Sequence, residues 1–338
     1  MRRWIFYIHK YTALATGVFL GVIGLTGSVL AFEEEIGGVL YRDLQRIPRA
    51  SSRVSLADQM MIVRRTFPGE SFYGVRLGND ERATAFLTGG KQVFVNGHTG
   101  EVLGVRTRDS LLSVIDRLHA NLIAPGGRIV VAVCAFALVI SSVTGLVLWW
   151  RARRSAQLRT GTWRTHNSVG LWSNLYLLLL GLSSICLVLP VNPLIFRVTG
   201  SKPPDRPARR SVVQPGSTPI SPDRAAELAA AALPGLTPET VIFPFGPSGA
   251  YRVGMRTGEN TLLAGDVQID QYSGTVLAAD RADYSDPAMR IIQGNRSFHT
   301  GRWLGIPSKI LAALAGLAIA VQVFTGFLMW QRGHSRAR

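Results

Sequence analysis

His9-Lys10-Tyr11-Thr12-Ala13-Leu14 opens one long apolar stretch of this chain, and His166-Asn167-Ser168-Val169-Gly170-Leu171 opens another. Run forward from the two histidines without a gap, Gly24-Leu25-Thr26 falls on Gly181-Leu182-Ser183. The same comparison sets His119, with Thr144-Gly145 25 residues later and Trp149-Trp150 beyond, against His299, with Thr325-Gly326 26 residues later and Trp330 beyond. The chain is a tandem repeat with two histidines in each copy, and a repeat constrains architecture before any single residue does.

Hydrophobic residues make up 47% of the 338 residues, and they are clumped rather than periodic. Four runs, Tyr11 to Phe32, Ile129 to Trp150, Leu171 to Leu189 and Ile306 to Trp330, reach the roughly 20 residues needed to cross a hydrocarbon core of ~30 Å. Their only charge is Lys309, near an end where it is expected to snorkel. The net charge of +16 is unevenly spread: Met1 to Lys10, Arg151 to His166 and Gln331 to Arg338 hold basic residues and no acid, while all 21 Asp and Glu lie in the two long connections. Short basic segments stay in the cytoplasm, so both termini and the central loop are expected inside and the two long connections outside. A nucleic-acid-binding reading would need the basic residues gathered on a soluble face, and they are not. A cleaved signal peptide is disfavoured because the first helix has a twin in mid-chain. Cys134 and Cys186 both lie within apolar helices and read as packing thiols rather than a disulfide framework.

The pattern predicts a four-helix membrane protein in two parallel repeats with two small α+β outer domains. The expected segments are helix 1 over 1–33, an outer domain over 34–116, helix 2 over 117–151, a cytoplasmic loop over 152–165 and helix 3 over 166–190. A Pro-rich tether over 191–220, a second outer domain over 221–296, helix 4 over 297–331 and a cytoplasmic tail over 332–338 complete the chain. Each outer domain reads as one helix and then short strands: Ser55 to Phe67 stops at Pro68-Gly69, and Ser221 to Leu233 stops at Pro234-Gly235. Turns at Asn96-Gly97-His98-Thr99-Gly100 and Asp270-Gln271-Tyr272-Ser273-Gly274 mirror one another. His98, replaced by Tyr272 in the sister copy, reads as a turn or surface residue rather than a ligand.

A His-led helix, an outer helix-plus-strands domain, a turn with His/Tyr-Ser/Thr-Gly-x-Val-Leu, a Leu-His pair and a helix ending Thr-Gly-x-x-x-Trp together resemble the PepSY-associated transmembrane family. That family includes iron-regulated membrane proteins and bacterial inner-membrane ferric-siderophore reductases. The resemblance, which covers nearly the whole chain, implies haem b and reductive iron release.

Histidine is rare in membrane helices, so each of the four is a functional candidate by default. With the termini inside, helices 1 and 3 bring His9 and His166 to the cytoplasmic face, and helices 2 and 4 bring His119 and His299 to the outer face. Parallel repeats place each pair across the repeat axis, and facing imidazoles are what a bis-histidine haem needs as axial ligands. The expectation is two b haems, held by His9/His166 and by His119/His299. One difficulty is that Pro125-Gly126-Gly127 interrupts the stretch after His119, so the outer haem dips inward or only one haem is present. Small residues near the histidine faces, Gly17 and Gly24 among them, suit a macrocycle or plain close helix contact. The Thr-Gly pairs read as close-contact positions with the Thr hydroxyl bonded back to its own helix. No Gly-rich dinucleotide fingerprint occurs, so the electron donor is expected to be a quinol or a separate cytoplasmic protein. The expected acceptor is a ferric siderophore or another ferric chelate, and no nucleic acid partner is expected. Two other readings fit the same residues: a non-redox membrane protein that binds or restrains a periplasmic peptide or protease, and a permease using the histidines as direct metal ligands.

Overall fold

A computed structural model of the chain describes residues 2–152, 161–203, 209–213, 216–257, 263–281 and 286–335. The cytoplasmic loop expected over 152–165, parts of the Pro-rich tether and the last residues of the tail fall largely outside the described residues. In chain order the elements are α1 (Arg2–Leu30), α2 (Glu33–Leu40), α3 (Arg42–Gln45), α4 (Leu56–Thr66), β1 (Phe72–Arg76), β2 (Thr84–Thr88), β3 (Lys91–Val95) and β4 (Val102–Thr107). They continue as α5 (Leu111–Asn121), α6 (Gly127–Ala152), α7 (Gly161–Val188), α8 (Asn192–Thr199), α9 (Pro222–Ala232), β5 (Thr237–Ile242), β6 (Ala250–Arg256), β7 (Leu263–Asp270), β8 (Val276–Arg281), α10 (Pro287–His299) and α11 (Ile306–Ser335). The chain divides into two compact units, one holding residues 1–34, 111–203 and 285–338, the other 35–110 and 204–284.

The first unit is helical. α1, α6, α7 and α11 are each long and apolar enough to cross a membrane. α1 packs against α6 and α11, and α7 packs against the same two, so α1 and α7 stand diagonally across a four-helix bundle. Small residues set the approach. A Cβ at Gly24 of α1 would stand 2.7 Å from the Gly316 carbonyl oxygen of α11, and Ser28 Oγ donates to the Ala313 carbonyl at 2.8 Å. Between α7 and α6, a Cβ at Gly181 would stand 2.9 Å from Val139. Leu20, Cys134, Leu177, Ala315 and Ile319 fill the middle of the bundle.

Two features differ from the sequence reading. Lys309 does not snorkel: it is 7% exposed and pairs with Glu34 at 3.4 Å, and Arg302 reaches the same carboxylate at 3.2 Å. An ammonium that cannot reach water needs a counter-charge, and Glu34 of the acidic run supplies it. The stretch expected to be all tether contains α8, whose Phe196 is buried.

The second unit is an antiparallel sheet of eight strands in the order β4-β3-β2-β1-β5-β6-β7-β8. The sequence presents two small domains. The structure instead joins their strands into one sheet through β1 and β5, with Val75 opposite Val241. β-Strands with one apolar face need cover, and α4 and α9 provide it: Val63, Ala225, Ala229 and Leu233 pack into the same core as Phe86, Val93, Val253, Met255 and Ile269. The two helices start alike, with Ser55 Oγ accepting from the Asp58 N–H and Ser221 Oγ accepting from the Arg224 N–H. Asp223 also accepts from the Leu56 and Ala57 N–H groups at 2.7 and 3.0 Å, so the second copy helps cap the first.

His98 is a turn residue but not a surface one. It is 7% exposed, its Nδ1 lies 2.6 Å from the Ser52 carbonyl and its Nε2 lies 3.1 Å from the Asp80 carbonyl. The sister turn is built on Asp270, 3% exposed, whose carboxylate accepts from the Tyr272, Ser273 and Val212 N–H groups at 2.8 to 2.9 Å. Burial opposes the charge, but these N–H donors outweigh it and hold the Asp270 carboxyl below the usual carboxylate range. A carboxyl whose folded value is depressed stabilises the fold above the unfolded value of 3.8 and stops doing so as pH falls through the lower folded value. Denaturant unfolding followed by the sheet signal should therefore lose stability below about pH 4, and Asp270→Asn, which keeps one acceptor oxygen, should flatten that slope. Asp270→Ala should cost about 1–3 kcal/mol at neutral pH.

Candidate functional site

α1 and α7 begin with the same instruction, a histidine followed by apolar residues, and stand on one diagonal of the bundle. Their histidines meet: the His9 and His166 ring centroids are 6.4 Å apart with the planes at 87°. His119 near the end of α5 and His299 at the end of α10 meet as a second pair, with centroids 6.3 Å apart and planes at 52°. All four sequence candidates thus fall into the two pairs expected of them.

The depth of His119 is explained by the break that follows it. α5 ends at Asn121, the chain turns through Leu122 and Ile123, both at φ 54°, and α6 starts at Gly127. Left-handed backbone at two branched or bulky residues is strained. The turn folds α5 back along α1, so His119 Nδ1 lies 2.9 Å from the Ile23 carbonyl oxygen, well inside the apolar span of α1. Fourteen residues of helix separate Ile23 from His9, which sets the pairs about 21 Å apart along α1 at ~1.5 Å per residue. A side chain at Gly127 would overlap the Asn121 carbonyl oxygen, so Gly127→Ala should push α5 off α1. A cost of roughly 1–3 kcal/mol is expected in thermal unfolding of the purified chain.

Three of the four rings are held from behind. His9 Nδ1 lies 3.0 Å from Thr144 Oγ1 of α6, and His166 Nδ1 lies 2.9 Å from Thr325 Oγ1 of α11. Both hydroxyls donate their single hydrogen to a carbonyl of their own helix, Ile140 and Val321, each at 2.6 Å. They are therefore acceptors toward the histidines, and Nδ1 carries the proton in both rings. His119 reaches the same state by another acceptor, since a carbonyl can only accept. In three of the four rings Nε2 is then the unprotonated nitrogen with its lone pair free. The glycine after each threonine makes room: a Cβ at Gly145 would stand 3.2 Å from His9 Cε1, at Gly326 3.4 Å from His166 Cε1, and at Gly27 2.9 Å from His119 Cε1. The Thr-Gly motifs bond back to their own helices as the sequence suggested. Their larger role, a cradle that fixes tautomer and orientation, was visible only as their recurrence in both copies of the repeat.

The fourth ring is the exception. His299 Nδ1 is buried and has no hydrogen-bond partner among the described residues. At the position equivalent to Thr26-Gly27 the second copy has Ser183-Ser184, with Ser183 Oγ donating to the Asn295 carbonyl at 3.3 Å and Ser184 Oγ to the Leu180 carbonyl at 2.8 Å.

The pairs fit a metal that brings its own equatorial ligands. Among the described residues no three or more His, Cys, Asp or Glu gather, so each site offers two donors. Two metal–imidazole bonds of about 2 Å, plus about 1.1 Å from nitrogen to ring centre on each side, would place the centroids about 6.2 Å apart. The observed 6.4 and 6.3 Å match that span. Basic residues close in sequence to the histidines have other partners: Arg302 pairs with Glu34, and Lys10 lies 5.1 Å over the Tyr11 ring.

Four apolar helices of spanning length, with histidine pairs across their bundle, define a multi-pass membrane protein. The model of the PepSY-associated TM region matches residues 6–332, and the chain belongs to that family. No curated protein matches the chain.

The cradle has a measurable energy. Thr144→Val or Thr325→Val keeps the shape but removes the hydroxyl acceptor from an imidazole N–H, and each should lower stability by about 1–3 kcal/mol in denaturant unfolding. Thr325→Ser, which keeps the oxygen, should recover most of the loss.

Proposed function

We propose that the chain is a haem b-containing oxidoreductase of a bacterial inner membrane that passes electrons across the bilayer to a ferric siderophore or another ferric chelate. The observation that carries this reading is the approach of two imidazoles in each pair, with centroids 6.4 and 6.3 Å apart, a spacing that would suit two ligands of one haem iron. His9 and His166 would hold one haem, His119 and His299 the other, and bound haem supplies one-electron chemistry at each end of the bundle. Thr144, Thr325 and the Ile23 carbonyl keep Nδ1 protonated and so leave the Nε2 lone pair of His9, His166 and His119 available, and bound haem would take its ligands there. The Leu20, Leu177 and Ile319 packing between the levels excludes water.

The charge distribution sets the direction. Basic, acid-free segments flank the His9/His166 end, which faces the cytoplasm by the positive-inside tendency, and the sheet unit is then periplasmic. Electrons would enter at His9/His166 from a quinol or a cytoplasmic protein and leave at His119/His299. Iron(II) is held less firmly than iron(III) by hard oxygen donors, so reducing a ferric chelate releases its metal. The choice of a ferric acceptor follows the resemblance to iron-regulated relatives.

A reduced-minus-oxidised spectrum and a pyridine haemochrome count on the purified protein should show b-type haem at two per chain. His166→Ala should remove one and His299→Ala the other. Absence of any b-type signal would sink the redox reading, and loss of both haems from either single change would sink the assignment of independent sites.

A further inference from the structure

We propose that the His119/His299 site opens on its His299 side, where His299 yields its place to a small neutral donor such as carbon monoxide, while the His9/His166 site stays closed. This rests on the haem reading given above.

The asymmetry lies in the second copy. In the first, Gly27 leaves the space that His119 occupies, since a Cβ there would approach His119 Cε1 to 2.9 Å. Ile23 then accepts the His119 Nδ1 proton at 2.9 Å. In the second copy Ser184 stands where Gly27 stands, so a side chain is present at the position that the first copy leaves bare. The Ser184 hydroxyl also bonds to the Leu180 carbonyl at 2.8 Å, and Leu180 is the counterpart of Ile23. Ser183, counterpart of Thr26, gives its hydroxyl to Asn295 rather than facing a ring. Among the described residues the buried His299 Nδ1 has no acceptor, whereas His119 Nδ1 has the Ile23 carbonyl at 2.9 Å and Thr26 Oγ1 at 3.3 Å.

An imidazole with no acceptor behind it is a poorer ligand in two ways. Its Nε2 is less basic, because no partner draws off the Nδ1 proton, and nothing fixes the ring about its Cβ–Cγ bond. Outer-shell bonds of this kind are worth about 10–100-fold in metal affinity. His9, His166 and His119 all have one. Of the four, His299 is the ligand that a competitor displaces. The exchange is balanced without electron transfer: the iron–Nε2 bond breaks, one iron–carbon bond forms, and His299 keeps its electron pair and stays neutral.

The probe is carbon monoxide added to the dithionite-reduced full chain, read as a reduced-plus-CO minus reduced spectrum. One of the two haems should respond. Ser183→Thr/Ser184→Gly, which rebuilds the Thr-Gly cradle of the first copy, should weaken that response about tenfold or more. Thr325→Val, which strips the acceptor from His166, should let the second haem respond as well. The double substitution introduces only residues already present at the equivalent positions, and Thr325→Val reports on a separate site, so a folding defect in one variant leaves the other decisive. A response from neither haem in the unaltered chain, an equal response from both, or a response unchanged in both variants would overturn the inference. A preparation with no b-type spectrum would overturn the haem reading itself, which is a different and recognisable result.

Discussion

The bond from a histidine Nδ1 to an oxygen on a neighbouring helix is the contact on which the functional half of this molecule depends. A polar ring inside a bundle is costly unless its hydrogen-bonding groups are satisfied. Here the acceptors, Thr144, Thr325 and the Ile23 carbonyl, satisfy Nδ1 alone and leave Nε2 bare. The same bonds tie α1 to α6, α7 to α11 and α5 to α1, so site geometry and helix packing are set together.

Much of this was legible in the chain itself. Spanning helices follow from apolar runs with almost no charge, and the pairing of His9 with His166 and of His119 with His299 follows from the repeat. The depth of His119 was not legible. It depends on a reversal at Leu122 and Ile123, residues with no preference for left-handed backbone, and only Pro125-Gly126-Gly127 hinted at a break. The turn is imposed by packing of α5 on α1, which local propensity does not encode.

The union of the strands into one sheet was hidden for a related reason. Each copy shows its own helix, strands and turns, and alternation of apolar residues reports which face is buried without naming the neighbour across an edge. Nothing in Phe72 to Arg76 marks Thr237 to Ile242 as its partner, although Asp223 reaching to cap α4 shows that the copies are fitted to one another. Lys309 was misjudged because snorkelling and ion pairing make the same demand on composition. Only the position of Glu34 separates them.

The β1–β5 seam bears on ancestry. A chain of half this length would present β1 as an open edge and would offer each site a single imidazole, so it would be incomplete in both units. A second identical copy supplies what is missing in each. Joining two such genes end to end would preserve both contacts while releasing the copies from the obligation to stay identical, and Ser184 opposite Gly27 records one use of that freedom.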